Sequence, residues 1–350
     1  MKRQIKTTVR RTHPATLVAA GMLFAGLLFS SRFMAHSQEQ DPAEATQFAT
    51  PARPPAGVSV VQQNILQIAT LHWYAANLTT QFTTSNAPYG IAFDGRNLWV
   101  SNYDGGTVSK LQPSDGTILG TSSAGKNPIA VAYDGANVWV ANINGNNVTE
   151  INGSTGAFIA NYTVGTQPNA LAFDGKNIWV ANGGTNNVTV LKASTGATVA
   201  TYASSGEFPA GIAFDGANMW ITNNVSGNVT KMSSTGAILG TFTVGTYPTG
   251  ITFDGAHMWV ANYGSNNVTE LANSGSVLGT FSISGGPNEM VYDGANVWVT
   301  QFTAGKVTEL KASTGATLGT FTVGREPAAA AFDGANIYVT NFGGTTVSKL

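Results

Sequence analysis

The sequence predicts an all-β chain folded as a seven-bladed β-propeller, each blade a four-stranded antiparallel sheet. Three observations predict it. The phrase IAFDGRNLWVSN at 91–102 returns in near copies beginning at 131, 171, 212, 251, 290 and 330. A proline opens each unit at 88, 128, 168, 209, 248, 287 and 327, so the successive intervals are 40, 40, 41, 39, 39 and 40 residues. Such a period marks units that bury their faces on their neighbours. The composition agrees: 41 glycines, no cysteine and 10% charged residues in a chain of 350 suit short strands and tight turns rather than helices.

In chain order, residues 1–37 read as an export signal. A basic head, MKRQIKTTVRR, precedes an apolar run at 15–30, and Ala35 and Ser37 supply small residues for cleavage after Ser37. That run is short for a spanning helix. The expectation is an exported protein, periplasmic or extracellular at the cell surface, with no membrane contact beyond the signal. Residues 38–58, polar and rich in Pro and Ala, read as a disordered linker. Residues 59–77 read as an amphipathic helix: Ser59 and Gln62 have capping-box spacing, and Val61, Ile65, Ile68, Ala69 and His72 share one stripe.

The propeller is expected over 78–350. Within the first unit, strand a is GIAF, b is NLWVSN, c is TVSKL and d is TILGTSS. Asp-Gly separates a from b, and Gly/Asn-rich residues and STGA-like turns separate the rest. The seventh unit reaches strand c at Leu350, and its strand d is expected from the other end of the repeat region. There LTTQFTTSNAP, from Leu78, aligns with LGTFTVGREP, from Leu318. Closing the ring this way removes an exposed sheet edge. The alternative is that 78–84 is donated to a neighbouring molecule, giving strand-exchanged chains of propellers; a monomer is the expectation. In strand b, Trp99, Trp139, Trp179, Trp220, Trp259, Trp298 and Tyr338 hold one position, and are read as packing between blades.

At these residues the chain resembles the seven-bladed propellers of the YVTN-repeat type: IYVTN at 337–341 carries the signature, and WVAN and WVSN are its variants. Streptogramin lyases and gluconolactonase-like hydrolases share the broad architecture. The resemblance implies the fold and leaves the activity open, because this fold hosts many functions. For the lyases it implies histidines working with a glutamate and a divalent metal.

Repetition suggests structural roles for most of the polar residues. Asp94, Asp134, Asp174, Asp215, Asp254, Asp293 and Asp333 each sit in an Asp-Gly hairpin, where a side chain caps nearby N–H groups. Asn102, Asn142, Asn182, Asn223, Asn262, Gln301 and Asn341 end strand b and satisfy local backbone. NVT at 147, 187, 228 and 267 matches a glycosylation acceptor, yet its Asn also suits a left-handed turn before strand c. His257 stands where the other units have Asn, in an a–b turn, while Glu207, Glu289 and Glu326 fall beside d–a loops and Glu150, Glu270 and Glu309 in strand c. On that reading no His–Glu pair assembles on one face, and no catalytic residue is assigned. The net charge of −1 gives no reason to expect nucleic acid.

Function is sought where the repeat breaks. Two positions after each proline the units read Gly90, Ala130, Ala170, Gly211, Gly250, Glu289 and Ala329. One position after the strand-b amide they read Tyr103, Ile143, Gly183, Asn224, Tyr263, Phe302 and Phe342. Tyr103, Tyr263, Phe302 and Phe342 fall on four consecutive blades of the closed ring. With Tyr89 they form an expected aromatic crescent on the face of the b–c and d–a loops, beside Glu289. This predicts a non-catalytic binding or scaffold propeller taking a protein or glycan partner there, with no cofactor. The alternative is a metal-dependent lactonase or lyase whose divalent metal sits at the channel mouth on Glu289, Asn288 and Asn169.

Overall fold

In the computed structural model, which describes residues 80–350, every unit folds as its turn residues dictate. The expected signal (1–37), linker (38–58) and helix (59–77) lie outside the described residues, as do residues 78 and 79 of the expected propeller. Blade 1 runs a (Pro88–Phe93), b (Leu98–Asn102), c (Thr107–Leu111) and d (Ile118–Ser123), all antiparallel. The described residues form seven such sheets and no helix. In the seventh, Pro327–Phe332, Ile337–Asn341 and Thr346–Lys349 are completed by Thr80–Thr83, with Thr80 opposite Lys349 and Phe82 opposite Val347. The closing strand thus comes from the N-terminal side and pairs within its own chain.

The apolar alternation of strand b is buried on both faces, because each blade is sandwiched between two others. Trp99, Trp139, Trp179, Trp220, Trp259 and Tyr338 are fully buried. Seven apolar clusters each join two adjacent blades, such as Trp179 and Val188 with Ile212 and Met219, or Phe82 and Tyr338 with Ile91 and Leu98. Each fully buried large apolar side chain contributes about 1.5–3 kcal/mol, so stability is spread around the ring.

A ring from strand d covers the strand-b aromatic of its own blade in six sheets: Tyr162 lies 5.6 Å from Trp139, Phe281 5.4 Å from Trp259 and Phe82 6.3 Å from Tyr338 between centroids. Five of these rings lean on a glycine in the c–d turn of the next blade. A Cβ on Gly116 would stand 2.2 Å from Phe82, and one on Gly196 1.8 Å from Tyr162. Blade 1 departs: Ser122 takes the ring's place and donates to Gly156 O at 2.6 Å. A groove of about 660 Å³ opens there, lined by Arg96, Trp99, Lys110, Ser122 and Gly156.

Candidate functional site

The face of the b–c and d–a loops is built on a backbone lock repeated in all seven blades. The residue before each proline (Ala87, Asn127, Gln167, Phe208, Tyr247, Gly286 and Glu326) holds a positive φ, from 50° to 64°. Its carbonyl accepts the N–H of the residue that follows the strand-b amide: Tyr103 N–H to Ala87 O at 2.9 Å, Tyr263 to Tyr247 at 3.1 Å, Phe302 to Gly286 at 3.0 Å and Phe342 to Glu326 at 3.0 Å. Left-handed backbone is costly for non-glycine residues, but its repetition here serves the loops' geometry. The side chains after the amide are therefore aimed by main chain.

Those side chains meet as expected. Tyr89 lies 5.2 Å from Phe342 and 6.3 Å from Tyr103, Tyr103 lies 5.6 Å from Phe342, Phe302 6.2 Å from Phe342, and Tyr263 6.5 Å from Phe302. Several contacts are edge-on, the preferred geometry of aromatic pairs. All five residues are half-buried.

Glu289 stands beside it. Its N–H donates to Thr300 Oγ1 at 2.9 Å, and its Oε1 accepts the Met290 N–H at 3.3 Å. Among the described residues the ion pairs are Lys231–Asp215 and His257–Glu270, so no cation pairs with Glu289. Burial pushes its carboxyl from the ordinary 4.5 up to about 7, opposed by the one backbone N–H. The residue as a whole is half-buried. Burial first, then the charge of Glu289, lifts the Tyr89 phenol to about 12, while a hydrogen bond from the Asn288 side chain works the other way. Glu289, Asn288, Tyr89 and the crescent form one neighbourhood. Asn169 stands apart, in blade 3. Its amide donates to Pro209 O at 3.1 Å, as Asn288 donates to Ala328 O at 2.7 Å, so both amides fasten a blade to the next.

The repeated polar residues are internal. In every blade the turn aspartate's Oδ1 accepts two backbone N–H groups, and its Oδ2 takes the indole of the strand-b tryptophan, as in Asp134 with Ala136, Asn137 and Trp139 at 2.8, 2.6 and 2.7 Å. In blade 7 the Tyr338 hydroxyl replaces the indole, donating to Asp333 Oδ2 at 2.9 Å. The strand-b amides are fully buried or nearly so. Asn142 donates to Asn147 Oδ1 at 2.7 Å and Thr149 Oγ1 at 2.8 Å, and accepts from Gly125 N at 2.9 Å. The left-handed residue before strand c is one position earlier than expected: Asn146, Asn186, Gly227 and Asn266 hold positive φ. The sequon asparagines instead start strand c and accept from the strand-b amide.

The opposite face corrects a second expectation. His257 and Glu270 do meet, Nδ1 to Oε1 at 2.8 Å. Strand pairing places Trp259 opposite Glu270, and the glutamate's length carries its carboxylate to the a–b turn. Burial raises the Glu270 carboxyl, and the His257 ring works against it. Asp254, His257 and Glu270 have ligand atoms within 4.8 Å of one another.

No family model matches the chain. No curated protein matches it either. Among solved structures, a streptogramin B lyase superposes with a TM-score of 0.67 at 18% identity, covering 78% of this chain and 96% of that one. Its fold is that of the streptogramin B lyase propellers. A virginiamycin B lyase from Staphylococcus aureus, catalytically inactive and solved with quinupristin, matches with a TM-score of 0.67 at 21% identity, covering 78% of this chain and 98% of that one. A Kuenenia stuttgartiensis hydrazine synthase matches with a TM-score of 0.66 at 20% identity, covering 77% and 96%.

The lyase resemblance implied histidines working with a glutamate and a divalent metal, and the Asp254–His257–Glu270 cluster is the place to test the fit. Asp254 Oδ1 already accepts Ala256 and His257 N–H at 2.8 and 2.6 Å, and Oδ2 accepts Trp259 Nε1 at 2.8 Å. Blades 2 and 6 repeat the arrangement with asparagine: Asn137 donates to Glu150 at 2.7 Å and Asn296 to Glu309 at 2.8 Å. His257 takes over an amide's hydrogen bond. Uncommitted donors number one imidazole and one carboxylate, too few for an oxygen- and nitrogen-ligated divalent site, so the residues do not fit a bound metal.

Proposed function

We propose that this protein is an exported, non-catalytic binding propeller that engages a protein or glycan partner at the channel mouth on the face of its b–c and d–a loops. The observation that carries the reading is the crescent: five half-buried aromatic residues in a continuous chain of ring contacts, four of them aimed by main-chain hydrogen bonds, and confined to one arc of an otherwise regular ring. Structure alone asks for no aromatic there, because the same position is Ile143, Gly183 and Asn224 in blades 2 to 4. Grouped aromatics with a few polar side chains suit sugar rings and protein anchors alike.

Replacing Tyr103, Tyr263, Phe302 and Phe342 together by serine tests the reading. Binding to purified cell-wall glycans or to an identified envelope protein is expected to fall at least about tenfold, a loss of roughly 1.4 kcal/mol, with the fold retained by circular dichroism. Unchanged binding of every such target would remove the crescent from the function.

A further inference from the structure

One carboxylate beside the crescent has no counterpart elsewhere in the repeat, and this defines what the mouth accepts. Glu289 borders Tyr89, Glu326 lies within electrostatic reach of Tyr263, and Asp104 of Tyr103. Of these, Glu289 is the informative one. Its counterparts are glycine or alanine in the other six units, so the ring closes without it. Gly250, in the adjoining blade, leaves its carboxylate room: a Cβ there would lie 2.8 Å from Glu289 Oε1. The carboxylate accepts a single long hydrogen bond, from the Met290 backbone N–H, and no lysine or arginine among the described residues forms an ion pair with it. Arg325 is the cationic side chain of the neighbouring loop, beside Gly343, and makes no ion pair either.

We infer that the mouth receives an alkylammonium group, held over the faces of the Tyr89 and Phe342 rings and against the Glu289 carboxylate. The inference rests on the binding reading above and names the chemistry of its ligand. Aromatic faces attract a cation within about 6 Å of the ring centroid, more strongly once it is desolvated. A carboxylate surrounded by protein and lacking a partner gains most from a charge that enters with the ligand. An anionic ligand would meet the unpaired Glu289 carboxylate. A neutral sugar would leave the Glu289 charge unmatched.

The test is calorimetric titration of the purified full chain at pH 8 with choline, with its neutral isostere 3,3-dimethylbutan-1-ol and with Nα-acetyl-lysine amide. N,N′,N″-triacetylchitotriose, called chitotriose below, serves as a neutral glycan probe. Choline or the lysine derivative is expected to bind at least about tenfold more tightly than the isostere, and whichever of the two binds better identifies a quaternary or a primary ammonium. Glu289→Gln, which keeps the side chain's shape, is expected to abolish the difference between choline and the isostere. Glu326→Gln is expected to reduce it less. Equal binding of choline and the isostere, or an unchanged preference in Glu289→Gln, would overturn the inference. If chitotriose binds through the crescent while neither ammonium does, the inference falls and the binding face survives. If no probe binds and the serine variant loses no partner, both fall.

Discussion

The Trp99 indole N–H donates to Asp94 Oδ2 at 2.7 Å, and each other blade makes the same bond between its turn aspartate and the residue five positions on. One carboxylate thereby shapes the a–b turn with one oxygen and anchors the aromatic wedge between blades with the other. Asp174→Asn places an amide donor against either the Trp179 indole or the turn's N–H groups. The loss is expected to be about 2 kcal/mol, read as a shift of the urea midpoint with an unchanged slope. Burial alone would raise these carboxyls, but the backbone N–H groups and the indole, or at Asp333 the Tyr338 hydroxyl, outweigh it and hold Asp94, Asp174, Asp215, Asp293 and Asp333 below the ordinary 3.8. Their contribution is complete above that value and is lost as pH falls through the lower folded values. Acid titrations of stability should show this loss, smaller in Asp174→Asn.

Ser122 leaves a gap where six other sheets place a ring, and Gly156 keeps the small residue on which such a ring leans elsewhere. Ser122→Phe is expected to stabilise the protein by about 1 kcal/mol, raising the melting temperature. A lower melting temperature would mean the groove does not have the shape of the missing ring.

Glu289 should tax stability in a pH-dependent way. Its folded value of about 7 lies above the ordinary 4.5, so the folded state holds its proton longer than the unfolded chain does. Stability therefore falls as pH rises from about 4.5 through 7, by at most about 3 kcal/mol and by less where channel water solvates the carboxylate. Tyr89, the titratable group against it, stays protonated throughout. Glu289→Gln should melt higher than the parent at pH 8 and match it at pH 4.5. Parallel melting curves at both pH values would show that the carboxylate is already well solvated.

His257→Asn reproduces the amide found in blades 2 and 6. It is expected to leave stability at pH 8 within about 0.5 kcal/mol of the parent, because the asparagine remakes the hydrogen bond to the glutamate, and to leave the divalent metal content of purified protein unaltered. A stoichiometric metal lost in this variant would return Asp254 and Glu270 to the list of ligands.

Much of this architecture was legible because the repeat states it seven times. The Asp-Gly turns, the proline spacing and the Phe82–Phe321 alignment placed blades and closing strand correctly, and the breaks at Glu289 and Phe302 pointed to the crescent. What was missed depended on register and side-chain length. His257 and Glu270 seemed remote when assigned to a turn and a strand, yet pairing of Trp259 with Glu270 brings them together. The Asp–Trp bond was hidden because both residues repeat equally, so neither stood out. The left-handed asparagine fell one position early, at Asn146, because strand c begins with the sequon asparagine itself. Ser122 was a break of the same kind as Glu289, and the aromatic period of strand d would have exposed it.

The ladder that joins Thr80 to Lys349 makes the first and last described strands neighbours, just as Asn187–Lys192 and Thr198–Ala203 are neighbours across a short turn. A connector of that turn's length could span positions 350 and 80. New termini could then open at any other c–d turn, with every sheet preserved. The seven blades are thus interchangeable as starting points for translation, while the single arc that carries Glu289 would keep its place on the circle in every permuted version.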